Sequence, residues 1–211
     1  HLFQRRLYVS GRTEREIIDQ FHRLYYQRGK IDGSAWCSVR WRRREVVQNP
    51  MDLLATARII QEQAPPVRII EIGTGGGASA AFYLSAGATA VISVDILARD
   101  LAGMPGTFLV GDSRDAVTAA RVKAALGVPF ANLVLLDGDH QAATVQRELE
   151  LYAPLVGMGG YLIVCDTHFN GHPIDPAFGP GPWEAVEEFL AERQDFVRDR
   201  AVEPLFTFNP G

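Results

Sequence analysis

An α/β fold built on a mostly parallel sheet is predicted by three features of this 211-residue sequence. Short apolar runs alternate with helix-length segments from residue 67 onward. Two of those runs, "LVLL" and "YLIV", are apolar at every position, as in strands covered on both faces. Polar clusters follow the runs instead of interrupting them: Gly73 to Gly77, Asp95, Asp112 with Ser113, Asp137 to His140, and Asp166 to His168. In such sheets ligands bind beyond the carboxyl ends of the strands, near the point where the strand order reverses.

The elements follow in order. Ile17, Phe21, Leu24 and Tyr25 recur at helical spacing and predict a helix over about 13–28. A loop over 29–49 carries Trp36, Trp41 and the cluster Arg40, Arg42, Arg43 and Arg44, expected to be a solvated or interface face. Pro50 opens a helix through Ile60, and Pro65-Pro66 end it. Then come a strand over 67–72, a helix over 76–86, and strands over 90–94 and 106–110. A helix over 112–126 stops at Gly127. "NLVLLDGDH" is a strand entering an acidic turn, 141–152 a helix, and "GGYLIVCDTH" again a strand and an acidic turn. Pro182 starts a helix through Glu192, and 196–208 reads as two strands around Pro204. Residues 1–64 are expected to form an extension to a single compact domain over 65–211.

Composition limits the class. Hydrophobic residues make up 47% and charged residues 22%, enough apolar surface for a core without metal or disulfide staples. The net charge of -4 argues against a nucleic-acid partner. Two cysteines, Cys37 and Cys165, make no disulfide framework and fit a reducing, cytoplasmic compartment. No apolar run has the length of a membrane span. The chain starts at His1 and not at Met, as expected of a truncated or processed chain.

The stretch "RIIEIGTGGGAS" places four glycines among residues 73–77, between a strand and a small-residue helix. The tight turn and the helix N-terminus suit an anionic group, either a dinucleotide pyrophosphate or the carboxylate of S-adenosylmethionine. The spacing Gly73-x-Gly75-x-x-Ala78, followed by Asp95 at ribose-binding distance in the chain, fits both. Glu71, Asp112 and Asp137 favour the second. They ring the mouth with carboxylates, which attract a sulfonium and an ammonium and repel a pyrophosphate. Glu71, Gly73, Thr74, Gly75, Asp95, Asp112, Ser113 and Asp137 are therefore the expected donor-binding residues.

Transfer of a methyl group to oxygen requires positioning and removal of a proton. His140 is the expected general base. Asp137 and Asp166 end neighbouring strands, where hard oxygens could share Mg²⁺; solvated or helix-capping roles are the alternatives. Asp166, His168 and His172 also offer the two-histidine, one-carboxylate set of non-haem iron sites. The Gly- and Pro-rich loop after Asp166 reads as a lid or acceptor segment, with Phe169, Phe178 and Trp183 lining the site or packing.

With these residues assembled, the sequence resembles the cephalosporin hydroxylase family of S-adenosylmethionine-dependent enzymes, relatives of macrocin, mycinamicin and rhamnosyl O-methyltransferases. "NPMDLLATARII", "IIEIGTGGGAS", "VISVDI", "VGDS", "LLDGDH", "ELELYAPLV", "GGYLIVCDTHFNGHP" and "GPGPWEAVEEFL" carry it, from about Trp36 to the end of the chain. The resemblance implies a class I methyltransferase fold, with a seven-stranded, mostly parallel sheet, a reversed last strand and helices on both faces. It implies a sugar or other secondary-metabolite hydroxyl as acceptor, and homo-oligomers built through N-terminal elements. It implies Mg²⁺ on an aspartate matching Asp137 and on a Glu-Asp pair, here Cys165-Asp166, and a basic histidine matching His140. Cys165 departs from that pattern, since a thiol is a poor ligand for Mg²⁺. A nicotinamide-dependent oxidoreductase and a non-catalytic donor-binding relative are the alternatives.

Overall fold

The computed structural model describes residues 38–41 and 44–203. The expected helix over 13–28, Trp36 and the residues after 203 lie outside the described residues.

A short antiparallel hairpin opens the described chain, β1 (Ser38–Trp41) with β2 (Arg44–Val47). Within the loop expected over 29–49, residues 38–41 and 44–47 are strands instead, because Val39, Val46 and Val47 favour extended backbone, while residues 29–37, 42 and 43 lie outside the described residues. Trp41 meets Phe82 edge-on, with ring centroids 5.2 Å apart, so its ring is a packing element. Asn49 caps α1 (Pro50–Glu62) by accepting the Met51 N–H at 2.8 Å, with Pro50 in the first turn.

The central sheet is formed by β3 (Arg68–Ile72), β4 (Ala90–Asp95), β5 (Thr107–Val110), β6 (Ala131–Leu136) and β7 (Val156–Val164), all parallel, in the order β5-β4-β3-β6-β7. The chain winds outward from β3 in one direction, then returns to β6 on its other side. The reversal places a crevice at the carboxyl ends of β3 and β6. The intervening helices are α2 (Ala78–Ala86), α3 (Ala116–Leu126), α4 (Ala142–Tyr152) and α5 (Pro182–Glu192).

Alternation along the strands supplies two cores. Ile69, Leu133 and Leu135 pack with Ile59, Ile60 and Tyr83 of α1 and α2. Ile70, Val134 and Leu136 pack on the other face with Val122, Leu149 and Ala185 of α3, α4 and α5. Both faces are therefore covered, as the all-apolar strands require.

The sheet among the described residues has five strands, not seven, and no reversed strand. Residues 196–199 are irregular and 200–203 turn, where the first of the two expected strands would run. Asp199 Oδ1 accepts the Ala201 N–H at 2.9 Å, and its carbonyl accepts Glu203 N–H at 2.8 Å. Backbone donors that a ladder would use are thus satisfied locally. The helix expected over 112–126 begins at Ala116, because Asp112 turns back on the Arg114 N–H at 2.9 Å.

Candidate active site

The carboxyl ends of β3, β4, β5, β6 and β7 converge on a cavity of about 410 Å³. Its floor is the glycine turn. Gly73 has φ of +97°, and a Cβ there would lie 1.9 Å from the Asp137 carbonyl oxygen, so only glycine lets β3 and β6 close this tightly. Gly77, at φ of +72°, starts α2 and leaves its first N–H groups facing the turn.

Thr74, Ser93 and Glu71 form a buried relay below this turn. Ser93 Oγ donates to Glu71 Oε2 at 2.6 Å and lies 2.8 Å from Thr74 Oγ1. The pairing follows from strand register, which sets Glu71 opposite Ser93. Burial raises the Glu71 carboxyl to about 7 against the opposing pull of Ser79 and Ser93. Glu71 is 1% exposed and thus supports the turn from beneath it.

Asp95 and Asp112 stand on the wall, each held by an arginine. Asp95 accepts Gly75 N–H at 3.1 Å, Leu97 N–H at 2.9 Å and Arg99 through both oxygens at 3.0 and 3.3 Å. Burial would raise its carboxyl, but these bonds outweigh that and hold it below the ordinary value. Arg114 forks onto Asp112 at 2.6 to 3.2 Å, and this pairing brings that carboxyl down to about 2. Beside it Ser113 Oγ donates to Glu148 Oε1 at 2.5 Å.

Asp137, His140 and Asp166 cluster at the ends of β6 and β7, with potential ligand atoms within 4.8 Å of one another. Gln48 Nε2 donates to Asp137 Oδ2 at 2.8 Å, and His140 Nε2 lies 3.0 Å from Asp166 Oδ2. Burial, and then the neighbouring carboxylates (Asp166 for Asp137, Asp52 for Asp166), push both aspartates up. Burial also lowers His140 below its ordinary value, partly offset by Asp137 and Asp139. The imidazole therefore favours its neutral form.

The two carboxylates of Asp137 and Asp166 lie close enough to share a divalent cation that keeps several waters, with the His140 imidazole beside them. Cys165 is outside this group. It is 5% exposed and packs in the apolar cluster with Ile163, and burial pushes its thiol far up. The two-histidine iron set is not assembled, because His172 bonds Glu184 at 2.9 Å and stacks on Trp183 at 4.9 Å. In the following loop Phe169 stacks on Phe178 at 4.6 Å and lies 5.8 Å from the His140 ring.

Of the expected site residues, Gly73, Thr74, Gly75, Asp95, Asp112, Ser113, Asp137, His140 and Asp166 line this cavity and Glu71 is buried beneath it, whereas His168, His172, Phe169, Phe178 and Trp183 are not part of its lining. Four others went unnoticed in the sequence. Arg99 and Arg114 follow their aspartates at four and two residues, a spacing that could have flagged them. Glu148 interrupts an apolar helix face between Val145, Leu149 and Tyr152. Gln48 carries no local signal.

Comparison with known proteins agrees with this architecture. A curated rhamnosyl O-methyltransferase of Mycobacterium leprae is 31% identical over 214 aligned positions, covering 95% of this chain and 91% of the relative. One from Mycobacterium bovis is 28% identical over 202 positions, covering 90% and 80%. Among solved structures, the O-methyltransferase TomG from Streptomyces achromogenes shares the fold, with a TM-score of 0.51, 18% identity and coverage of 89% and 82%. The methyltransferase MycE of mycinamycin biosynthesis does so with a TM-score of 0.51, 20% identity and coverage of 83% of this chain. The chain spans 43% of MycE's length. The model of the rhamnosyl O-methyltransferase/CmcI family matches residues 34–210, and the chain belongs to that family.

Proposed function

We infer that this protein is an S-adenosylmethionine-dependent O-methyltransferase whose acceptor is a hydroxyl of a small molecule, specifically of a sugar. The observation that carries the reading is that His140, paired with Asp166 at 3.0 Å, shares one cavity with the glycine turn and the two wall aspartates. The curated relatives are named for methylating rhamnosyl groups. TomG was solved with S-adenosylmethionine, and MycE with Mg²⁺ and S-adenosylhomocysteine.

The residues divide the work. The turn over Gly73, Thr74 and Gly75, together with the first N–H groups of α2, takes the donor's carboxylate, Asp95 the ribose hydroxyls, and Asp112 with Ser113 the adenine. S-adenosylmethionine supplies the methyl group as an electrophile on sulfur. Asp166 accepts the Nε2–H of His140 and so fixes the tautomer in which Nδ1 carries the lone pair that removes the acceptor proton. Phe169, against the His140 ring, limits water there. Asp137 and Asp166 would hold Mg²⁺, which would polarise the acceptor hydroxyl and lower its pKa. Gln48 keeps Asp137 turned to that point.

We further place the protein in the cytoplasm, with no nucleic-acid or membrane partner, with residues 1–64 an extension of the methyltransferase unit over 65–211 and with self-association through the segment from Ile17 to Tyr25. Among the described residues no helix is long and apolar enough to cross a membrane.

Transfer of labelled methyl from S-adenosylmethionine to a panel of hydroxylated sugars tests the reading. His140→Ala should lower turnover by about 10²–10⁴-fold with donor affinity intact. Because burial depresses His140, wild-type turnover should rise with pH along a limb centred below 6.5, and the variant should lack that limb. Near-normal turnover of the variant would remove His140 as the base. Donor binding without transfer to any hydroxyl would favour the non-catalytic alternative.

A further inference from the structure

Glu148 is a buried carboxylate that the methyl-transfer reading leaves without a task. It projects from α4, is 1% exposed, and reaches the underside of the cavity beside Gly138. The Glu148 carboxylate lies against the backbone of Gly138, with Oε1 3.7 Å from where a Cβ on that residue would stand. Oε1 accepts the Ser113 hydroxyl at 2.5 Å, whereas Oε2 is buried with no hydrogen-bond partner among the described residues. A buried carboxylate with an unmade bond costs stability, so its retention calls for a reason beyond packing.

The reason lies in the direction of the Ser113 bond. A hydroxyl carries one proton. With that proton committed to Glu148, Ser113 Oγ can only accept hydrogen bonds from a ligand in the cavity it lines. Its neighbour Asp112 is already engaged by the Arg114 fork, so Ser113 is the freer acceptor at the end of β5. We propose that Glu148 is a positioning residue that fixes Ser113 as a hydrogen-bond acceptor and so makes the site select a purine bearing an amino group over one bearing a carbonyl at the same ring position. This rests on the reading of Ser113 as part of the adenine pocket. An adenine amino group donates to Ser113. The carbonyl of hypoxanthine there would face a second acceptor and repel it.

Calorimetric titration of the whole chain with S-adenosylhomocysteine and with S-inosylhomocysteine tests this at about pH 8, where Glu148, raised by burial to about 7, is mostly ionised. Wild type should prefer the adenosyl ligand by about tenfold or more. Glu148→Leu frees the Ser113 proton to point either way, and the preference should fall to within about threefold while cooperative unfolding is kept. Ser113→Ala should lose the preference to the same extent, and the double variant should lose no more than either single one. A purely structural Glu148 would weaken both ligands together and leave their ratio unchanged. Equal binding of the two ligands by wild type, or an unchanged ratio in Glu148→Leu and Ser113→Ala, would overturn the proposal while the donor reading stands. Binding of neither ligand by wild type would overturn both.

Discussion

Asp95 joins three separate parts of the donor wall. Its carboxylate gathers the Gly75 and Leu97 N–H groups and the Arg99 guanidinium, which ties the glycine turn to β4. Asp95→Ala removes both this brace and the acceptor for ribose hydroxyls. Affinity for S-adenosylhomocysteine should fall by roughly 1–3 kcal/mol in calorimetry; unchanged affinity would deny Asp95 that role. At this scale the sequence was informative where chemistry follows a strand. Asp95, Asp112, Asp137 and Asp166 were recognisable because an acid directly after an apolar run has few structural excuses. Gln48 was invisible because it reaches Asp137 across 89 positions of chain. Glu71 was recognised, but its burial was not: only strand register reveals that it faces Ser93 beneath the turn.

At the scale of elements, β3 and β4 share that buried relay, and its titration should be measurable. The Glu71 carboxyl lies near 7 in the fold against an ordinary 4.5, so the folded state binds the extra proton between those values. Stability from this group is therefore present below about 4.5 and is lost as pH rises toward 7. Glu71→Gln cannot ionise, and its unfolding free energy relative to wild type should grow across that interval by up to roughly 3 kcal/mol. A pH-independent difference in denaturant unfolding would contradict the relay. The loop from β7 to α5 is pinned at its far end by Glu184, which accepts from Gly181 N–H at 2.7 Å and Asn170 at 2.9 Å and pairs with His172. Glu184→Ala should loosen the loop over the acceptor side. The acceptor KM should rise by about tenfold while affinity for S-adenosylhomocysteine stays as it was, a split that steady-state kinetics with calorimetry resolves. The strands and helices of the core were legible from period and punctuation. The β1–β2 hairpin was not, since its four-residue strands are too short for alternation to outweigh the Arg-rich composition around them.

For the whole molecule, the controlling feature is the reversal of strand order at β3 and β6. It collects groups from five strand ends, far apart in sequence, into one cavity. The parallel α/β class was predictable from apolar runs alternating with helices, and the strand order then followed the usual outward winding. The number of strands was not predictable from residues 196–203, whose apolar Phe196 and Val197 resemble a strand while Asp199 folds the backbone into turns. The central claim is that this cavity takes an adenosyl methyl donor and not a dinucleotide. Calorimetric titration with S-adenosylhomocysteine, and separately with NAD, tests it most directly. The account predicts saturable one-to-one binding of S-adenosylhomocysteine at about micromolar affinity and no heat from NAD. Binding of NAD, or no binding of S-adenosylhomocysteine, would contradict it.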